Sequence, residues 1–503
     1  MSEKSVIIIG SGMAGLAAGC YARMNGYKTI ILELHDKPGG LCTAWQRDGY
    51  TVDGCIHWLV GSKPGSALYR VWEELGAVQG REFFYADAYQ QYEATDGRVF
   101  TLYADIGRLE QHMLELAPED RAPITAFCRA ARGFVQMEIP VGKPYQLMTL
   151  GDKLKFGLMA ARYLPYLKWN RLTMNRAMTR FKSPLIRNGI LNAWPGSFPA
   201  GFLLTTMAYL HKRAAGYPQG GSLEFSRAIE QRYLGLGGEL RYQSRVSNIL
   251  VEDNQAVGVR LADGTELRSD YVISAADAHA TVFDLLDGRY SDGAVRGWFE
   301  KLTPFPSLVF VGLGINRKFD DVPALVSSLR LELPEPVMIA DRERTTVGFH
   351  IFNNDPSLAP SGRTLVVSAF TSSLEWWQNL RQDPTRYRGA KQETADNVIQ
   401  LLDRRFPGAA ALVEMTDVAT PSTFVRYTGN WQGSIQGWAA TPRTWMKQFR
   451  KTLPGLRNLW LCGQWVEAIG GLPPAALSGR SAVQFLCAQD RREFVTTLPG
   501  KAG

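Results

Sequence analysis

Hydrophobic positions in this chain fall into two periods, and the switches between them mark out its elements. Ser5-Val-Ile-Ile-Ile9 is a short apolar run of the kind that forms a buried strand, and Thr29-Ile-Ile-Leu-Glu33 is a second. The small residues from Gly12 to Gly19 lie between them and predict a helix packed closely on its surroundings. Farther along, Leu223, Phe225, Ile229, Tyr233 and Leu234 fall at helical spacing up to Gly235-Leu-Gly-Gly238. Alternating runs at 246–252, 256–261 and 266–268, turning at Asp253-Asn254 and Asp263-Gly264, predict a small antiparallel meander. Tyr271-Val-Ile-Ser274, the stretch from Pro304 to Gly314 and Leu459-Trp-Leu461 read as further apolar strands.

The first of these switches carries chemistry. A buried strand, Gly10-x-Gly12-x-x-Gly15 opening a helix, then a strand ending in an acid about twenty residues on, is the dinucleotide-binding fingerprint. Gly10 permits the tight turn, Gly12 lets the backbone approach a pyrophosphate, and Gly15 and Gly19 bring the helix close to the sheet. The helix N-terminus offers free N–H groups to the anion, and Glu33 is placed to hold ribose hydroxyls. No second fingerprint occurs: Gly235-Leu-Gly-Gly238 follows a helix, and Gly312 and Gly314 are remote from a helix start. A separate nicotinamide domain is therefore not expected, which leaves oxygen, a quinone or a loosely bound carrier as reoxidant.

Two adjacent glycines follow the second strand in Asp36-Lys-Pro-Gly-Gly-Leu-Cys42, and the chain continues through Gly49-Tyr-Thr-Val-Asp-Gly-Cys-Ile-His-Trp58. With Leu459-Trp-Leu-Cys-Gly-Gln-Trp465 and Gly470-Gly-Leu-Pro-Pro near the C-terminus, this pattern resembles the phytoene desaturase, carotenoid isomerase and retinol saturase family of FAD enzymes. Cys55, between Gly54 and Ile56, departs from the Gly-Ile-His turn of the saturase branch. The resemblance brackets the whole chain. It implies an α/β fold: a Rossmann-like FAD-binding domain built from residues 1–85, 215–285 and 441–503, and a discontinuous substrate domain of mixed sheet plus helices from 86–214 and 286–440. It further implies FAD contacts at Gly10, Gly12, Met13, Ala14, Gly15, Glu33, Leu34, Gly39, Gly40 and Leu41, with Val246 near the adenine and Ala275 near the pyrophosphate. Gly463, Gln464, Gly471, Leu472 and Pro473 complete that set.

Composition narrows the class. A chain of 503 residues with 45% apolar content can bury a large core and divide into domains. Six cysteines show neither CxxC nor metal-ligand spacing, so reduced core thiols, no bound metal and a cytoplasmic setting are expected. The start Met-Ser-Glu-Lys is expected to carry no signal peptide, and no apolar run reaches the roughly eighteen residues of a spanning helix. Charge is uneven: 121–190 hold 13 Lys or Arg against Glu138 and Asp152. Phe156, Met159, Tyr163, Leu164, Leu167, Trp169, Met174, Met178 and Phe181 interleave with them. The mixture suits an ordinary amphipathic helix over a cavity or one lying on an anionic membrane at its inner face; no nucleic-acid module accompanies it.

Acid–base candidates are few. His57 follows the extended FAD segment and is the candidate to orient substrate or move a proton, set against a structural role under Trp58. Asp53 is expected to hold its loop, and His211 and His350 are candidates to line an apolar cavity. Within Tyr427-Thr-Gly-Asn-Trp-Gln-Gly-Ser-Ile-Gln-Gly-Trp438, Gly433 and Gly437 would admit a substrate, while Trp431, Trp438 and Trp58 would wall it. The function these features imply is an FAD-dependent oxidoreductase that desaturates, saturates or isomerises C=C bonds of a hydrophobic isoprenoid such as a carotenoid or retinoid. The same architecture resembles flavin amine oxidases and protoporphyrinogen oxidases and, in another class, the flavin-free, prenyl-binding GDP-dissociation inhibitors.

Overall fold

The first strand is buried on both faces, and its alternate side chains enter different cores. In the computed structural model, which describes residues 3–161, 163–445, 447, 449–467 and 470–500, Ser5–Ile9 is the middle strand of a five-stranded parallel sheet. The order is Glu239–Arg241, Lys28–Leu32, Ser5–Ile9, Tyr271–Ser274, Leu459–Leu461. Val6 and Ile8 pack with helices Met13–Met24, Gly221–Gly235 and Leu472–Gln489, whereas Ile7 and Ile9 pack beneath the antiparallel strands Val246–Glu252 and Gln255–Leu261. Both faces of the parallel sheet are thereby covered, as its apolar strands require.

Glycines set how closely these layers approach. A Cβ at Gly479, in the last helix, would lie 2.2 Å from the Ala14 carbonyl oxygen of the first, so the two ends of the chain join backbone to backbone. A Cβ at Gly15 would lie 1.9 Å from the Gly10 carbonyl oxygen. That contact fixes the first helix against the turn that precedes it.

A second sheet has seven strands in the order Val413–Ala419, Leu308–Ile315, Thr364–Thr371, Arg342–Ile351, Leu329–Ile339, Ala88–Glu93, Val99–Tyr103. Only Ala88–Glu93 and Leu329–Ile339 pair in parallel among the described ladders of this sheet. Helix Pro384–Arg405 contributes to the core over part of it, and Ile106–Leu116, Arg121–Val135 and Ala200–His211 build a helical layer against Tyr89, Tyr92, Phe100 and Leu102. A hairpin, Ala44–Arg47 with Tyr50–Asp53, turns through Asp48 and Gly49 at positive φ and lies on the seven-stranded sheet. Gly312 and Gly314 make the room: a Cβ there would meet Val52 at 3.0 Å and Tyr50 at 2.5 Å. These two glycines seat a hairpin, which explains why they accompany no helix start.

The basic stretch is broken into short helices, Leu150–Ala161, Leu164–Leu167, Met174–Met178 and Pro184–Leu191, with Thr173 and Ser183 capping the last two through their side chains. Its second half is interior rather than surface, since Trp169, Met174, Met178 and Phe181 are buried. Its first half is exposed: Leu150 retains 87% of its surface, Leu154 and Leu158 67% each and Leu164 63%. Among the described residues no helix is long and apolar enough to cross a membrane.

Candidate active site

The C-terminal ends of the parallel strands open onto a cavity of about 1000 Å³. The Gly10 N–H donates to the Leu32 carbonyl at 2.8 Å and the Ala275 N–H to the Ile9 carbonyl at 2.9 Å, so adjacent strands leave the sheet at one level. Ligands in such sheets bind beyond the carboxyl ends of the strands. Two helices start there, Met13–Met24 after Gly12 and Leu472–Gln489 after Gly471, and neither has a side-chain cap. The first offers its leading N–H groups to an anion, whereas the second offers only the Leu472 N–H, because Pro473 and Pro474 carry none.

The glycines of this end form a backbone cradle. A Cβ at Gly12 or Gly471 would have nothing within 4 Å, and at Gly40 it would approach only the Gly12 backbone, at 3.3 Å from its Cα. That open, backbone-walled cleft fits a dinucleotide pyrophosphate. Glu33 is 5% exposed; its carboxylate accepts from the Ser11 N–H at 2.7 Å, the Ser11 hydroxyl at 2.8 Å and the His35 N–H at 2.9 Å, and it lines the same space. Met13, Ala14, Leu34, Gly39, Leu41, Val246, Ala275, Gly463, Gln464, Leu472 and Pro473 also line it, together with Gly10. Gly15 does not; it is spent on packing against Gly10.

The opposite end is apolar and aromatic, walled by Trp58, Val60, Ile139, Phe156, Met159, Trp194, Phe202 and Trp445. The Thr205 and Thr206 hydroxyls, also on this wall, donate back to the helix carbonyls of Gly201 and Phe202, at 2.8 and 3.0 Å.

His57 lies on the wall between the two ends, on a loop fixed by a buried carboxylate. Asp53 accepts from the Ser222 N–H and hydroxyl, both at 2.6 Å, and from the Cys55 N–H at 3.1 Å, while Ser222 Oγ accepts from the Ile56 N–H at 2.8 Å. Burial raises the Asp53 carboxyl, opposed by these donors. The His57 ring stacks on His350, with centroids 4.4 Å apart, and burial lowers His57 to about 4. It is neutral at physiological pH and able to accept or donate a hydrogen bond. His350 lies behind it, hydrogen-bonded through Nδ1 to the Ser327 carbonyl and pushed well down by burial and by His57. His350 thus supports His57 and does not line the cavity, and His211 is also elsewhere, accepting from the Ile106 N–H at 3.2 Å.

The proposed aromatic wall is a correction. Trp431, Gly433, Gly437 and Trp438 do not reach the cavity; Ile435 and Gln436, between the two glycines, do. A Cβ at Gly437 would lie 2.4 Å from the Gln464 carbonyl oxygen, so the glycine presses this segment onto the cofactor end. Trp438 is 1% exposed, donates its indole N–H to the Trp465 carbonyl at 3.0 Å and packs on Phe449 and Trp465. It props the wall from behind.

Two features had no clear signature in the sequence. Asp277, beside Ala275, accepts from the Trp431 and Ala280 N–H groups at 2.8 and 2.9 Å; burial pushes it up to about 6. Cys42 and Cys55 belong to the core beneath the first helix and also line the cavity.

Residues 13–487 match the family described as flavin containing amine oxidoreductase. The chain is similar to a prolycopene isomerase of Daucus carota, 24% identical over 86% of this chain and 71% of that one. It is 25% identical to a neurosporene-forming phytoene desaturase of Cereibacter sphaeroides, over 93% and 91% of the two chains. Among solved structures it matches an oxidoreductase from Methanosarcina mazei at TM-score 0.60 and 17% identity, covering 95% of this chain and 100% of that one. Cyclohexylamine oxidase from Brevibacterium oxydans matches at TM-score 0.58 and 15% identity, covering 98% and 100%. At such identities the solved structures speak for the fold alone.

Proposed function

The chain belongs to the flavin containing amine oxidoreductase family and is an FAD-dependent oxidoreductase, and on that premise we propose that it alters C=C bonds of a hydrophobic isoprenoid of the carotenoid or retinoid class by desaturation, saturation or isomerisation. One observation carries the reading: a single cavity joins the backbone cradle for the dinucleotide to an aromatic, apolar compartment, with His57 on the wall between. The relatives named as desaturases and isomerases support the choice of substrate class.

FAD would be held by the N–H groups beyond Gly12, the Leu472 N–H, the backbone at Gly39 and Gly40, and the Glu33 carboxylate. When bound it supplies hydride acceptance or donation. The protein's part is then position and dryness. Trp58, Trp194, Phe202 and Trp445 bind the polyene by burying its apolar surface. Neutral His57, fixed by the Asp53–Ser222 latch and backed by His350, orients the reacting segment or carries a proton at a ring nitrogen.

Substrate delivery follows from helix Leu150–Ala161. Leu150, Leu154 and Leu158 form one outward stripe beside Lys143, Lys153 and Lys155, while Phe156, Met159 and Ala160 of the same helix line the cavity. This helix would lie on an anionic membrane surface and pass substrate inward.

The test is purified protein mixed with isoprenoid polyenes on one hand and primary amines on the other, with products separated by chromatography and flavin reduction followed anaerobically. A polyene altered in bond number or geometry is expected. Amine-dependent flavin reduction with every polyene unchanged would replace this reading by amine oxidation.

A further inference from the structure

Two of the six cysteines are set apart from the rest. Cys20, Cys128, Cys462 and Cys487 are buried away from the cavity, whereas Cys42 and Cys55 both line it. The hairpin explains their meeting. Its ladder pairs Arg47 with Tyr50, Gln46 with Thr51, Trp45 with Val52 and Ala44 with Asp53. Cys42 lies two residues before Ala44 and Cys55 two after Asp53, so both sit just beyond the last pair of the ladder.

The side chains complete the juxtaposition. Both cysteines meet around Ser222. Cys42 Sγ donates to the Ser222 carbonyl at 3.5 Å, and Ser222 Oγ holds the Ile56 N–H next to Cys55. The neighbouring Cys42 side chain and burial push the Cys55 thiol well up, so Cys55 rests as a thiol.

We propose that Cys42 and Cys55 form a dithiol–disulfide site in the cofactor wall, oxidised by a small peroxide that enters the cavity. One sulfur takes an oxygen as the O–O bond breaks and the first water leaves. The other sulfur then displaces that oxygen as a second water while the S–S bond forms. Two electrons pass from the sulfurs to the peroxide, and both thiol protons leave in the waters. Gly39 and Gly40 lie just before Cys42, and Ile56 and His57 just after Cys55. The new bond therefore fastens the cofactor cradle to the loop that carries His57, and slows exchange of the cofactor. The proposal is independent of which substrate the enzyme takes.

The experiment treats the flavin-loaded protein with hydrogen peroxide, alkylates the remaining thiols and maps the peptides by mass. A Cys42–Cys55 cross-link that dithiothreitol reverses is expected, with the four core thiols unmodified until the chain unfolds. Flavin release from the oxidised protein should be several-fold slower than from the reduced one. Cys42→Ser and Cys55→Ser should each abolish both effects. In untreated wild type, phenylarsine oxide, which bridges two adjacent thiols, should be captured by the folded protein; this measurement stands even where a serine variant fails to fold. Sulfinic acid at either position without a cross-link, or no capture of the arsenical, would overturn the site. A cross-link that leaves flavin release unchanged would overturn the fastening.

Discussion

Gly12→Val separates cofactor binding from folding because a side chain at this glycine would meet nothing in the protein. Its φ and ψ, −65° and 175°, suit valine, and a Cβ there has no neighbour within 4 Å. Two small effects on stability oppose each other: valine is the poorer N-cap, costing about 1 kcal/mol, and it restricts the unfolded chain, returning about 0.4–1 kcal/mol. The apoprotein should melt within a few degrees of wild type. The side chain nevertheless occupies the cleft in which a pyrophosphate would meet the first N–H groups of helix Met13–Met24. Losing two charge-assisted hydrogen bonds at about 1.5–3 kcal/mol each removes about 3–6 kcal/mol, or roughly a hundredfold to ten-thousandfold in FAD affinity. Gly15→Val is the contrasting change. Its Cβ would lie 1.9 Å from the Gly10 carbonyl oxygen and 3.2 Å from the Ala275 Cβ, so it should cost about 3 kcal/mol or more of stability through overpacking. The assay is the flavin-to-protein ratio from visible absorbance, FAD titration by fluorescence quenching and thermal melts of both apoproteins. A Gly12→Val protein purified with full flavin content would refute the assignment of the cleft.

Asp53→Ala leaves the Ser222 N–H, Ser222 hydroxyl and Cys55 N–H without their acceptor, so stability should fall by about 2–4 kcal/mol, read by denaturant unfolding, and flavin retention should fall with it. His57 titrates near 4 in the fold and about 6.5 when unfolded, so the unfolded chain takes the proton first as pH falls through that window. Wild type should lose up to about 3 kcal/mol relative to His57→Gln between pH 6.5 and 4, a difference measured by parallel melts. His57→Gln should also keep its flavin while losing product formation; a full rate would remove His57 from the chemistry. Leu154→Ser with Leu158→Ser removes two exposed groups of the outward stripe, and recovery with anionic vesicles in low-salt flotation should drop while the melt stays put; unchanged recovery would exclude this helix as the membrane face.

The cofactor end was legible because its information is local. Gly10, Gly12, Glu33, Gly39 and Gly40 all lie within a few turns and strands of each other, and backbone chemistry dictates glycine wherever a pyrophosphate must approach. The apolar end depends on long-range packing, and spacing is silent about it. Trp194, Phe202 and Trp445 converge from separate segments, with no fixed interval to betray them. The placement of Trp438 failed for a related reason: an aromatic beside a glycine turn can face a ligand or the core, and here Phe299, Phe449 and Trp465 claim it. Positive charge from 169 onward looked like surface because Lys and Arg dominate the composition, yet Trp169, Met174, Met178 and Phe181 bury beneath them. The meander was visible as periodicity. That Gly479 clamps the last helix onto Ala14 was not, since the requirement exists only once both helices are formed.

The electrostatics of the cavity bear on the kind of reaction it can host. An unpaired charge in an apolar compartment costs several kcal/mol, and the two titratable groups argued to matter along its wall are held toward neutrality: His57 lowered to about 4 and Asp277 raised to about 6. His57 therefore carries no charge at neutral pH, and Asp277, still largely a carboxylate there, has its oxygens engaged by the Trp431 and Ala280 N–H groups. The N–H donors beyond Gly12, the Leu472 N–H and the Glu33 carboxylate face the cofactor end. At the other end the acidic lining group, Glu138, is exposed to solvent and most of the wall is aromatic or aliphatic, so binding there draws mainly on buried apolar area, which favours a long hydrocarbon. The division also explains why the loop bearing His57 is tied down by Asp53 and Ser222, away from the cavity centre: a histidine kept neutral by desolvation can be aimed only by fixing the backbone on which it rides.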